Sequence, residues 1–185
     1  MSFPSPKRLP FLLLISAAVF ALDQWTKNWV SHHIQYGGAI PVWDHILRIT
    51  HWTNGGAAFS LFAYTARPEV VRWALVTFAS LAGIAVLIAM VRLGSRIDVT
   101  TLALALILAG AAGNVHDRVR YGEVTDFIEV HIFGYHWPDF NVADSSVVTG
   151  ACLLVLASLK QGSGNRDQKD RERENKDLNP RLRGL

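Results

Sequence analysis

Four apolar runs divide the chain, from Leu9 to Leu22, Val70 to Val91, Val99 to Gly113 and Phe140 to Leu159. A helix needs about 20 residues to cross a bilayer core. The second and fourth runs reach that length, whereas the first and third stop after 14 and 15 residues. The pattern therefore predicts that those two helices carry polar groups into the membrane, one through Asp23, Gln24 and Trp25 toward Lys27, the other through Asn114 toward Asp117 and Arg118. Between the spans, Ile46 to Trp52 is rich in β-branched and aromatic residues, and Asn54-Gly55-Gly56 supplies turn chemistry after it. Val124 to Phe133 also reads as extended, with a short helix as the alternative. The predicted fold class is an all-α membrane protein of four transmembrane helices with a small extracytoplasmic β-containing loop region. From Gln161 to Leu185 seven Lys/Arg and five Asp/Glu accompany almost no apolar residues. The expected organisation is a four-span domain over 1–160 and a disordered cytoplasmic tail over 161–185.

Composition agrees with the pattern: half of the 185 residues are hydrophobic, more than a soluble core of this size needs. The formal net charge of +3, without a basic patch interleaved with aromatics, gives no reason to expect nucleic acid. A lone cysteine, Cys152, excludes a disulfide framework and a thiolate metal site. The first run resembles a secretory signal in length, but Phe20-Ala21-Leu22-Asp23 is a poor cleavage site and three more spans follow. Lys7 and Arg8, Arg92 and Arg96, and Lys160 and Arg166 fall on one side of the spans, which the positive-inside rule assigns to the cytoplasm. Both termini are then expected inside and the loops from about Asp23 to Glu69 and Asn114 to Asp139 outside. Four of six tryptophans, Trp25, Trp29, Trp43 and Trp52, lie in the first of these loops, as expected at headgroup level.

This topology gathers Asp23, Asn114, Asp117, Arg118, Asn141 and Asp144 at one membrane edge. An ionisable residue in a span costs roughly 2.5 kcal/mol or more, so its default reading is functional. Asp126 and Asp144 together suggest an acid/base pair. Asn114 and Asn141 could hold those carboxylates or the substrate backbone, or simply join helices. Asp117 and Arg118 do not face each other on a regular helix; Arg118 is open to a partner in Asp23, in Asp117 through a bent backbone, or in a lipid phosphate. Asp23 and Lys27 are spaced for a local ion pair, with substrate orientation as the second reading. Asn54 and Gly56 fit either a plain turn or a close approach to an extended peptide. The seven histidines all fall in the expected outer loops, match no His-Glu-x-x-His pattern and read as scattered interfacial residues, so no metal or other cofactor is expected. Ser60, Ser145 and Ser146 lack a Gly-x-Ser-x-Gly setting, and Ser145 reads as helping to cap the fourth helix or as hydrogen-bonding beside Asp144. A small proton- or ion-coupled transporter is the non-enzymatic alternative.

Five blocks sharpen the choice: Leu22-Asp23-Gln24-Trp25-Thr26-Lys27, Asn54-Gly55-Gly56-Ala57-Ala58-Phe59-Ser60, Gly113-Asn114-Val115-His116-Asp117-Arg118, Val124-Thr125-Asp126-Phe127-Ile128 and Phe140-Asn141-Val142-Ala143-Asp144-Ser145. In order, spacing and topology the chain resembles the bacterial lipoprotein signal peptidase family, signal peptidase II, over about residues 8 to 160. Gly55 stands where the family commonly has threonine, and Thr125 where it often has valine. The resemblance implies an intramembrane aspartic endopeptidase of the bacterial cytoplasmic membrane with its active site near the outer face. Its substrate would be a diacylglyceryl-prolipoprotein met among membrane lipid, cut on the amino side of the lipidated cysteine, and the enzyme is expected to act as a monomer. The implied catalytic pair is Asp126 and Asp144, with Asp23, Lys27, Asn54, Gly56, Asn114, Asp117, Arg118 and Asn141 binding substrate or supporting the site.

Overall fold

A computed structural model describes residues 8–56, 67–93 and 97–178, with side-chain surroundings as far as Lys160. Four long helices, α1 (Leu9–His33), α2 (Pro68–Leu93), α3 (Val99–Arg120) and α4 (Val142–Leu178), carry a four-stranded antiparallel sheet of β1 (Ala39–Trp43), β2 (Leu47–Asn54), β3 (Val124–Ile132) and β4 (Tyr135–Phe140), in the order β1-β2-β3-β4. All four helices hold a window long and apolar enough to cross a membrane, α4 over Val142–Lys160. The multi-pass reading of the sequence stands.

Local signals set the helix bounds. Pro10 lies in the first turn of α1, where its missing N–H costs nothing. Asp98 caps α3 in a capping box, its carboxylate accepting from Thr101 N at 2.8 Å while Thr101 Oγ1 accepts from Asp98 N at 3.0 Å. As predicted, α1 and α3 run on past their apolar stretches and carry their polar residues as helix, to His33 and Arg120.

The α3 helix is the inner one: 39% of its spanning window is buried, against 11%, 11% and 17% for α1, α2 and α4. Five of its eight buried residues are small, Ala103, Ala105, Ala109, Gly110 and Gly113. Small side chains let helix backbones approach where lipid offers no hydrophobic drive for association. A Cβ on Gly110 would run into the Ala143 carbonyl, and one on Gly150 would stand 2.6 Å from the Ala103 carbonyl. Leu12, Met90, Leu104 and Ala105 close the bundle at one level. At the other, Val30, Ile34 and Phe127 join α1 to the sheet. Phe78, Leu81, Leu14 and Leu156 are exposed at 60% or more, as lipid-facing positions require.

The structure departs from expectation at two places. The strands β1 and β4 were not foreseen, and Phe140, read as the start of span four, ends β4 instead; α4 starts at Val142. Beyond Lys160 the backbone of α4 continues as helix to Leu178. The histidines are not all in loops, for His32 and His33 end α1 and His116 lies on α3.

Candidate active site

Asp144 owes its place to how α4 begins. Asn141 precedes the helix, and its Oδ1 accepts from Asp144 N at 2.9 Å, while Asp144 Oδ2 accepts from Asn141 N at 3.3 Å. This is the reciprocal logic of a capping box, written with Asn and Asp. A carboxylate in the first turn of a helix also faces the positive end of its dipole. The cap thus fixes the Asp144 backbone and one of its carboxylate oxygens.

Asp126 arrives from the sheet. It lies on β3 opposite Trp52 of β2, and Asn54, two residues along β2, donates from Nδ2 to Asp126 Oδ2 at 3.2 Å. Asn141 Nδ2 donates to the other oxygen, Oδ1, at 2.8 Å. One asparagine therefore caps the helix that bears Asp144 and holds the carboxyl of Asp126. Asp126 is buried, and burial first, then the charge of Asp144, push its carboxyl up to about 7 against the opposing hydrogen bonds of Asn54 and Asn141 and the charge of Lys27.

A second layer sets the amides. Lys27 Nζ forms ion pairs with Asp23 Oδ2 at 2.8 Å and Asp117 Oδ2 at 2.7 Å and donates to Asn114 Oδ1 at 3.2 Å, so its charge is compensated although the residue is only 5% exposed. Because Asn114 Oδ1 faces Lys27 and also accepts from Asn141 Nδ2 at 3.3 Å, its amide nitrogen is turned to Asp144 Oδ1, at 2.7 Å. Lys27 thereby dictates which end of Asn114 the carboxylate sees. Asp23, wholly buried on α1, accepts from Ala143 N at 2.8 Å and so satisfies an otherwise free N–H of the first turn of α4.

Arg118 meets none of the partners the sequence suggested among the aspartates. Its Nη2 donates to the Gly56 carbonyl at 2.7 Å and Nη1 approaches the Asn114 carbonyl at 3.4 Å, so it ties the turn after β2 to α3. Asn54 Oδ1 accepts from Gly56 N at 2.9 Å, closing an Asx-type turn in the same segment. Asn54 is then both turn-former and partner of Asp126. The remainder of that motif, Ala57 to Ser60, lies outside the described residues. Ser145 bonds back to the Asn141 carbonyl through Oγ at 2.9 Å and is no cap.

The structure thus assembles the ten candidate residues into one connected group, in which Gly56 enters through its backbone. Gln24 was missed as an individual contributor: its Nε2 bridges Asp23 Oδ2 at 3.1 Å and Asp117 Oδ1 at 2.9 Å. Its position beside Asp23 at the polar end of α1 was the available signal. His131 and His136, taken as scattered, are stacked on each other beside Glu129. Sequence spacing hid them because strand pairing, not proximity in the chain, brings them together. A cleft of about 350 Å³ lined by Gln24, Lys27, Asp117 and Thr125 adjoins the ion-paired layer and includes neither Asp126 nor Asp144.

Comparison with known proteins bears on this arrangement. Residues 15–160 match the family model described as signal peptidase (SPase) II. The lipoprotein signal peptidase of Syntrophus aciditrophicus (strain SB) is 38% identical over 157 residues, covering 84% of this chain and 96% of the relative. That of Geobacillus thermodenitrificans (strain NG80-2) is 41% identical over 143 residues, covering 77% and 86%. A solved structure described as a bacterial membrane enzyme, determined by the in meso method at 2.3 Å resolution, superposes with a TM-score of 0.69 at 36% identity, covering 84% of this chain and 91% of the other.

Proposed function

The chain belongs to the signal peptidase II family, and from that membership and the buried carboxylates of Asp126 and Asp144 we propose an aspartic endopeptidase that removes signal peptides from prolipoproteins, with these two residues as its catalytic dyad. One observation carries the assignment of the dyad: Asn141 donates to Asp126 while capping the helix turn that holds Asp144. Two carboxylates so linked, in surroundings that push one of them to about 7, share a proton near neutral pH. They titrate as a unit. The ionised member takes a proton from water as the water oxygen attacks the scissile carbonyl, and the protonated member donates to the carbonyl oxygen. As the C–N bond breaks, the departing amine receives a proton from the pair. No covalent enzyme intermediate forms.

The neighbours have distinct roles in this reading. Asn114 and Asn141 hold the dyad oxygens, Asn54 supports Asp126, and Asp23, Lys27 and Asp117 keep the amides oriented. Arg118 and Gly56 place the loop after β2 at the edge of the site. A transporter finds no support: the buried charges gather at one end of the helices, and α2 carries no charge between Arg72 and Arg92.

The positive-inside pattern puts this end of the bundle, and the sheet, outside the cytoplasm, with both termini inside. In a Cys152→Ala background, a cysteine at Tyr135 should react with an impermeant thiol reagent added to intact cells, and one at Ile97 only after permeabilisation. The reverse labelling would invert the topology.

Specificity follows from the bilayer setting. Each buried methylene is worth about 0.8 kcal/mol, so two acyl chains on the substrate cysteine outweigh the small residues before it. Part of that energy positions the peptide bond between the aspartates, so it appears in turnover as well as affinity. Purified enzyme in detergent should cleave a diacylglyceryl prolipoprotein at least about 100-fold faster than the same protein with an unmodified cysteine. Equal rates would show that the peptide alone is read.

A further inference from the structure

A second cluster of chemically able side chains lies on the β3–β4 hairpin, outside the aspartate network. Glu129 and His131 are two residues apart on β3 and share a face. The strand register sets His136 of β4 opposite His131, and the imidazoles stack with centroids 4.9 Å apart and planes 3° from parallel. Both turn Nε2 toward the same oxygen, Glu129 Oε1, at 3.2 Å from His131 and 3.1 Å from His136. The other oxygen, Oε2, is held 2.9 Å from Arg48 Nε by the β2–β3 register, which pairs Arg48 with Glu129.

This arrangement leaves a coordination demand that hydrogen bonding does not meet. His131 Nε2 is buried and, among the described residues, has no aligned hydrogen-bond partner despite its nearness to the carboxylate. His136 Nε2 is divided between Glu129 Oε1 and Asp139 Oδ1, the latter at 3.3 Å. Asp139 is itself anchored by Thr50, whose Oγ1 donates to its Oδ2 at 2.6 Å. Two imidazole nitrogens and a carboxylate oxygen within 4.8 Å of one another form a donor set suited to a borderline metal ion. Around tetrahedral zinc, with bonds of about 2.0–2.1 Å, ligand atoms stand about 3.3 Å apart. The two N···O separations lie close to that edge, while the rings, stacked 3° from parallel, must turn for both in-plane lone pairs to meet one ion.

We propose that Glu129, His131 and His136 form a binding site for a divalent transition-metal ion of the zinc type. Asp139 Oδ1 is within reach of the fourth position. Arg48 acts as the outer partner that orients the carboxylate, in the manner of groups that fix metal ligands from behind. The ion would pin β4 to β3, the strand that carries Asp126 three residues before Glu129. It takes no part in hydrolysis, and its presence or absence leaves the assignment of the dyad untouched.

The test uses the full-length protein in detergent, stripped with a chelator and then titrated with Co²⁺, followed by visible d–d absorption, and with Zn²⁺, followed by calorimetry. The expected result is saturable, stoichiometric binding that His131→Ala and His136→Ala each weaken by about 10- to 100-fold or more, whereas the paired change His32→Ala with His33→Ala does not. In the wild-type protein Zn²⁺ should also slow amide hydrogen exchange across residues 129–137, a readout that needs no variant. Absence of saturable binding, binding that survives both single changes, or unchanged exchange under saturating Zn²⁺ would overturn the proposal. In that case the cluster is a polar contact network that joins β3 to β4 without an ion.

Discussion

Asn141 is the residue on which the site turns, because its two ends act on different elements. Its carbonyl oxygen caps α4 and its amide holds the carboxyl of Asp126, so a shift of the helix start and a shift of the strand are felt at the same side chain. The proton that the pair shares should be visible in solution. The folded chain keeps it up to about pH 7, whereas an unfolded aspartate releases it near about 3.9. The folded state therefore binds more protons across that window, stability falls as pH rises through it and levels off above it. Asp126→Asn should flatten this slope in melting temperatures measured from about pH 4 to 7, and in the wild type kcat/KM should decline above about pH 7 as the shared proton is lost. A slope unchanged in the variant would mean that Asp126 does not titrate there. The aspartates were legible in sequence because membrane edges seldom carry carboxylates without a reason, and the motif blocks named their neighbours. The tie of Arg118 to the Gly56 carbonyl was not, since a backbone acceptor leaves no trace in residue identity. Nor was the meeting of Glu129 with His131 and His136, which depends on a register that a bulge between Ile128 and Val130 displaces.

At the scale of elements, α3 and α4 meet so closely that the site depends on glycines that carry no functional group of their own. A Cβ on Gly113 would lie 2.6 Å from Asp23 Oδ2 and 3.1 Å from the Ala143 Cβ. It would push Asp23 away from the Ala143 N–H that it satisfies. Gly113→Ala should therefore lower stability by about 1–3 kcal/mol and reduce cleavage, though it removes no functional group. An unchanged melting temperature together with unchanged turnover would show that the helices part without cost. The four helices were legible because long apolar runs have few other meanings. The strands divide instructively: β3 and β2 show β-branched and aromatic content, and β3 buries one side of its first residues. The β1 strand is exposed along its whole length and includes Pro41, and β4 includes Pro138. Neither offers the alternation on which a strand reading depends.

For the whole molecule, the polar residues that a bilayer disfavours are concentrated at one end of a bundle whose other surfaces are apolar and exposed. Each buried charge there is paired or amide-bonded: Lys27 with Asp23 and Asp117, Asp126 with Asn54 and Asn141, Asp144 with Asn114. Breaking one member of such a set leaves an uncompensated partner, so the loss of a neighbouring residue should be felt at the proposed dyad. The central claim is that Asp126 and Asp144 together cleave the substrate. It is tested most directly by gel assay of a diacylglyceryl prolipoprotein with purified wild type, Asp126→Asn, Asp144→Asn and the double variant, each first shown to be folded by its melting transition. Each single change should lower turnover by at least about 10³-fold, and the double variant should be no worse than either alone, because the pair acts as a unit. Substantial cleavage by a folded single variant, or additive losses in the double, would contradict the account.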